Sequence, residues 1–191
     1  LQRWADLVAV LELQLDVVTT ERDRIDTLFK IARVQEEQFL KADLQAVRLE
    51  QILEIDPNHE ASLEGLARAY RRLRQWLDLI NAFERHEQVT FDRAKKVELW
   101  TNIAVVYADE VEDIERAIDA YRNVIDIDGG WIPALDALAK LYEKQGDSAQ
   151  AIEYMTRVAD LTADGRQRVE MYFRIGKALD EKLGDRMSAQ D

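Results

Sequence analysis

Slid along itself by 72 residues, this chain of 191 residues superimposes its apolar positions. Trp4 falls on Trp76, and Ile25 falls on Val97 and then on Val169. Leu28, Trp100 and Tyr172 coincide, as do Ile31, Ile103 and Ile175, and Tyr70 meets Tyr142. Within each long period lie two similar halves. The pair Ile31-Ala32 recurs as Leu66-Ala67, Ile103-Ala104, Leu138-Ala139 and Ile175-Gly176, at spacings of 35, 37, 35 and 37 residues. Such steps are single supersecondary units that cannot bury an apolar stripe alone, so neighbours must stack into one elongated core.

The period inside each step is helical. Leu135, Leu138, Leu141 and Tyr142 recur at three and four residues, as do Ala117, Ile118, Tyr121, Val124 and Ile125, which marks one face of a helix. First helices are predicted near 22–38, 59–72, 92–109, 132–144 and 166–182, and second helices near 3–16, 43–55, 75–87, 114–126 and 148–160. Turns are expected at Asp56-Pro57-Asn58, Asp128-Gly129-Gly130, Gln145-Gly146-Asp147 and Leu183-Gly184-Asp185, with a further piece starting near Asp185. Thr20 and Asp23 have the spacing of a capping box, with Asp in place of Glu. Pro133 lies in a first turn, where a missing N–H costs nothing. The resulting expectation is an all-α, single solenoid of antiparallel helix pairs with no β-sheet. Its divisions are a partial unit 1–19, units 20–58, 59–91, 92–130 and 131–165, and a partial unit 166–191. The chain is read as a piece cut from something longer.

Ala32, Ala67, Ala104, Ala139 and Gly176 are expected where the two helices of one unit cross. Leu28, Leu63, Trp100, Leu135 and Tyr172 are expected to fill the space between neighbouring pairs. By register, one extra residue lies between Tyr107 and Ala117, in the turn inside that unit, and three lie where alternate units hand over. The latter predict a longer, looser connection beside Phe91 and Thr162.

This pattern resembles the tetratricopeptide repeat. Residues 132–165 carry it most fully, with Leu135, Leu138-Ala139, Tyr142, Gly146-Asp147, Ala151-Ile152, Met155, Val158 and Leu161 at the family spacing and Ala163 at its terminal proline. Residues 97–130 follow, with Trp100, Ile103-Ala104, Tyr107, Ala117, Tyr121 and Val124. Two other units depart further: Gln45 stands at the usual alanine and Gln35 at the usual tyrosine, while Arg74 stands at the glycine and Leu79 at the alanine. The 35- and 37-residue units resemble divergent members found in long bacterial arrays. The resemblance implies a right-handed superhelix whose first helices line a concave groove.

Composition restricts the chemistry. A formal net charge of −12 argues against a general polyanion binder, and the absence of cysteine removes thiol chemistry and disulfides. No apolar run approaches the ~18 residues of a membrane span. The reading is of a soluble chain, placed in the cytoplasm in preference to the periplasm. The two histidines, His59 and His86, have no ligand spacing between them and are expected at the surface or an edge. The stretch from Asp126 puts Trp131 and Ala137 where a calcium loop needs glycine and glutamate. No phosphate loop or nucleophile motif occurs. No enzymatic activity, cofactor, metal or nucleic acid is expected.

What remains is a scaffold that binds a protein or peptide segment. The alternative is a structural spacer, with end-to-end self-association through apolar faces near Trp4 and Tyr172. The resemblance places Phe29 and Arg33 in the groove of one unit and Arg68, Arg71 and Arg72 in the next. It adds Thr101 and Val105, then Lys140 and Lys144, then Phe173 and Lys177. Trp131, at a turn, is a further candidate contact. Phe29 and Phe173 read either as anchors or as side chains touching the next helix. The basic run Arg71-Arg72-Leu73-Arg74, with Arg68, reads as a solvated helix end or as a dock for an acidic segment. The family's clamp for a C-terminal carboxylate is not matched: its first lysine position holds Phe29, Glu64, Thr101 and Asp136, and its first asparagine position holds Arg33, Arg68, Val105 and Lys140.

Overall fold

The computed structural model describes residues 2–188, with side chains over 3–180. Among the described residues there are ten α-helices, one π-helical turn and no strand: α1 (Gln2–Val17), α2 (Glu21–Glu37), α3 (Ala42–Ile55), α4 (Glu60–Leu73), α5 (Trp76–Val89), α6 (Arg93–Val106), the π-turn Tyr107–Val111, α7 (Ile114–Ile127), α8 (Ile132–Gln145), α9 (Ser148–Leu161) and α10 (Gly165–Ser188). Within residues 1–95 the pairs α2·α3 and α4·α5 stack as helical repeats, and within residues 96–191 the pair α8·α9 packs between α7 and α10 in the same manner. Contacts divide the chain into two compact units, parted between Lys95 and Lys96.

In the first unit the apolar stripes of α2, α3, α4 and α5 merge into a core of Leu28, Leu49, Ile52, Leu63, Leu66 and Ala82, all buried. In the second, Leu135, Leu138, Ala139, Ala151, Met155 and Val158 are buried between α8 and α9. Helix starts follow local chemistry. Thr20 Oγ1 accepts the Asp23 N–H at 3.1 Å and donates to its carboxylate at 2.7 Å, completing the capping pair. Asp113 and Asp147 cap α7 and α9 in the same manner.

The turns inside the helix pairs share one device, a residue in the left-handed region: Leu40 at φ 53°, Arg74 at 56°, Glu112 at 59° and Gly146 at 80°. Only Gly146 adopts it without a Cβ clash. Arg74→Gly and Glu112→Gly are each expected to stabilise by about 1 kcal/mol, and Gly146→Ala to destabilise by a similar amount. Urea midpoints measure this; an Arg74→Gly midpoint that falls would show the strain is relieved elsewhere.

The odd residues of the 35/37 alternation are absorbed by helices. The closing N–H···O bond spans five residues in two turns, Gln75→Tyr70 and Asp147→Tyr142, but six in Lys41→Gln35 and Asp113→Tyr107. The extra residue near Tyr107 therefore lies in the π-turn at the helix end, the usual home of a one-residue insertion, and the link Glu112-Asp113 is as short as Gly146-Asp147. The three extra handover residues do not lengthen the connections either. Three residues precede α6 and α10, against four before α4 and α8. Ile103 and Ile175 are instead the eleventh residues of their helices, where Leu66 and Leu138 are the seventh. The insertions form one added N-terminal helical turn, which satisfies its own backbone where a longer loop leaves it to solvent.

Several positions differ from expectation. The helix runs through Leu183-Gly184-Asp185 to Ser188, because one interior glycine costs a helix only ~1 kcal/mol. Ala32, Ala104 and Ala139 are buried, but Ala67 is half-buried and Gly176 is exposed. The closest approach on α4 is at Gly65, where an added Cβ would meet Leu49 Cδ1 at 2.7 Å. Trp100 is half-buried, and Tyr172 is 47% exposed, with its hydroxyl donating to Asp160 Oδ1 at 3.1 Å. His86 is buried in α5, 4.0 Å from a Glu60 carboxylate oxygen, because the helical stripe turns position 86 inward beside Ala82 and Phe83.

Candidate functional site

In the first unit, α2 and α4 present adjoining charged faces. Arg33 pairs with Glu37 at 3.1 Å, one turn away. Arg68 Nε donates to Glu36 Oε1 at 3.0 Å and its Nη2 to Oε2 at 3.4 Å, while Arg72 approaches the same carboxylate at 3.8 Å. Glu64 meets Lys95 at 3.3 Å. The hydrogen bond from Arg68 to Glu36 raises the guanidinium's pKa despite its partial burial.

The basic run is thus not one patch. Successive helical residues point about 100° apart, so Arg71 leaves the face shared by Arg68 and Arg72 and lies 5.9 Å from the Phe83 ring centroid. Arg74 forms the left-handed cap. Phe29 packs against the core and meets His59 edge-on at 5.6 Å, touching the turn before the next first helix. His59 Nδ1 in turn accepts the Ser62 N–H at 3.2 Å, capping α4.

In the second unit the corresponding face is carried by α8 and α10. Lys140 pairs with Asp136 at 2.6 Å, and Arg174 of α10 reaches Glu143 of α8 at 3.6 Å. Lys144 is exposed in the last turn of α8; Phe173, 75% exposed, and exposed Lys177 project from α10 one turn apart. Thr101 Oγ1 is engaged by Val97 O at 2.7 Å within α6, and Val105 is 40% exposed. Trp131, also 40% exposed, stands at the start of α8 without a side-chain capping bond.

Two further networks escaped the sequence reading. In the first unit, Glu50 accepts from Tyr70 Oη at 3.1 Å and from Arg85 at 3.0 Å; burial, reinforced by Glu50, pushes the Tyr70 phenol up to about 12. In the second, Arg122 Nη2 donates to Tyr142 Oη at 2.6 Å, and Tyr142 stacks on Tyr154 at 5.6 Å. The 72-residue offset pairs Glu50 with Arg122 and Arg85 with Arg157, a signal already present in the chain. Among the described residues, no group of three His, Asp or Glu side chains is placed to hold a metal ion, and no helix is long and apolar enough to cross a membrane.

Comparison with known proteins agrees with this architecture. Profiles described as tetratricopeptide repeat match residues 97–130 and 134–169. Protein unc-45 homolog B of Xenopus laevis is 31% identical over 104 residues, 54% of this chain and 11% of that protein's length. The chain therefore spans about a tenth of that relative. Among solved structures, the crystal structure of MamA aligns with a TM-score of 0.56 at 18% identity, over 83% of this chain and 88% of that one. Nearly identical TPR-like repeats of a putative kinesin light chain of Podosopora anserina align with a TM-score of 0.55 at 19% identity, over 84% of this chain and 87% of that one. At such identities the likeness concerns the fold.

Proposed function

We propose, from the premise that this chain belongs to the tetratricopeptide-repeat family, that it holds a protein or peptide segment against its first helices. The observation that carries this reading is Phe173. A phenylalanine 75% exposed on α10, with Lys177 one turn on and the α8 lysines Lys140 and Lys144 on the facing helix, offers an aromatic anchor with cationic neighbours. Ion pairs around it, such as Arg174–Glu143, are exposed and each worth ~0–1 kcal/mol, so a partner exchanges them at little cost. Arg68 and Arg72 share the sheltered Glu36 carboxylate, 12% exposed, whereas the Lys140–Asp136 pair lies in more open solvent, which makes the first unit's face the weaker dock for an acidic segment.

The test is affinity capture from source-cell extract. Phe173→Ala, and a Lys140→Glu/Lys144→Glu/Lys177→Glu variant, are each expected to reduce recovery of the same partner about tenfold, the loss of one anchoring contact. Arg68→Glu is expected to leave recovery unchanged. Full recovery with both second-unit variants would sink this reading.

One observation favours the spacer alternative. Trp4, Leu7 and Val10 on α1, and Val169, Tyr172 and Phe173 on α10, are exposed. If these faces only join copies or neighbours end to end, the chain self-associates as concentration rises. Sedimentation over a hundredfold range that finds one monomeric species would count against it.

A further inference from the structure

The two units solve the same local problem with opposite charges. In the first, the Glu50 carboxylate of α3 sits between the Tyr70 hydroxyl of α4, at 3.1 Å, and the Arg85 guanidinium of α5, at 3.0 Å: a closed phenol–carboxylate–guanidinium triad. Seventy-two residues on, the phenol is Tyr142, the distal guanidinium is Arg157, and the middle position is Arg122. Arg122 Nη2 donates to Tyr142 Oη at 2.6 Å, and its guanidinium lies 5.9 Å from that ring's centroid. Tyr154 is stacked on Tyr142, with 7° between the rings, and Arg157 lies 5.5 Å from the Tyr154 centroid while donating to Gly129 O at 3.2 Å.

Two guanidiniums therefore engage one stacked tyrosine pair, both rings of which are buried. The carboxylate paired with Arg122 is Asp119, 3.3 Å away and one turn before it; its side chain is 71% exposed, and that of Arg122 is 51% exposed, while Asp147 acts on Tyr142 through its charge. Such a surface pair is weak, and with Asp119, Tyr142 and Tyr154 engaged the Arg122 fork still has donors to spare, since a guanidinium has five N–H groups.

We propose that this α7–α8–α9 surface of the second unit binds a carboxylate supplied by another molecule, the aspartate or glutamate side chain of an acidic peptide segment. The incoming carboxylate accepts from Arg122 and Arg157 together and restores the alternation of charge that Glu50 provides internally in the first unit. A planar carboxylate matches the guanidinium fork, and its charge removes the repulsion between two cations sharing one aromatic pair. A nucleic-acid backbone fits less well: the site offers two cations on a chain of net charge −12, too few to hold a polyanion. This surface is separate from the α8–α10 face, and the inference does not rest on that reading.

The experiment follows a fluorescein-labelled hexaglutamate peptide by anisotropy, titrated with the full chain at low ionic strength, with hexaglutamine as the neutral control. Binding of hexaglutamate alone is expected. Arg122→Glu recreates the first unit's triad, satisfies Arg157 internally and is expected to weaken binding about tenfold while leaving the circular-dichroism melt no lower than the parent's. Arg157→Gln is expected to weaken binding similarly, and serves as the deciding variant if Arg122→Glu does not fold. Arg68→Glu is expected to bind as the parent does, which separates this site from a general effect of removing a surface cation. The proposal is overturned if the parent fails to bind, if Arg122→Glu folds and binds undiminished, or if Arg68→Glu loses as much as Arg122→Glu, since net charge alone would then account for binding. Displacement by inorganic phosphate as readily as by glutarate at matched ionic strength also overturns it, because the site would then take any anion.

Discussion

Leu66→Ala is expected to cost the first unit about 2–5 kcal/mol. Leu66 is 0% exposed and lies in the cluster with Leu28, Leu49, Ile52 and Leu63. Truncation loses the transfer energy of the removed carbons and leaves a cavity, and the cost depends on how far the walls can close. Here they close little. Gly65, the preceding residue, already brings the α4 backbone so near Leu49 that even a Cβ would stand 2.7 Å from its Cδ1. The upper half of the range is therefore expected. Against a domain stability of roughly 5–15 kcal/mol, the urea midpoint read by far-UV circular dichroism should fall markedly. A midpoint within error of the parent would remove Leu66 from the core.

Ala104→Leu is expected to destabilise by about 1–3 kcal/mol for the opposite reason, overpacking. Ala104 is 0% exposed, and its neighbours Leu99, Ile103 and Val106 are buried on the same helix, so a leucine has no free volume to enter. The repeat supplies its own controls. Ala67 occupies the same pattern position but is half-buried, and Gly176 is exposed with nothing within 4 Å of an added Cβ. Thermal melts should therefore rank the leucine variants: a large loss at 104, less at 67, and none from crowding at 176. Equal losses at all three would mean that side-chain bulk in the helix, not burial, sets the effect.

The helices were legible in the chain because periodicity and capping are local. Apolar residues at three and four residue spacings specify a stripe, and Thr20, Asp113 and Asp147 specify starts, without reference to the rest of the molecule. Repetition at 72 residues then implied stacking, since no single pair buries its stripe. The alternation of 35 and 37 was equally visible, but not its placement. A one-residue insertion is accommodated by a turn or by a π-bulge according to which keeps neighbouring stripes in register. That is a property of packing, and at Tyr107–Val111 packing selected the bulge.

The charged surface was far less legible. Arg68, Arg71 and Arg72 are adjacent in the chain and read as one basic run. In three dimensions two of them share Glu36, some 32 residues away for Arg68, and the third turns to Phe83. Glu50 reaches Tyr70 and Arg85 across 20 and 35 residues, and Arg122 reaches Tyr142 across 20. Sequence by itself determined the inward stripe of most helices, because burial follows from periodicity and the hydrophobic effect is non-directional, while Ala67, Gly176, Tyr172 and His86 took their burial from the neighbours that the fold supplies or withholds. Only the tertiary structure decided which charge meets which, because a hydrogen bond or ion pair depends on a separation of about 3 Å and on direction, and small offsets between stacked helices set both.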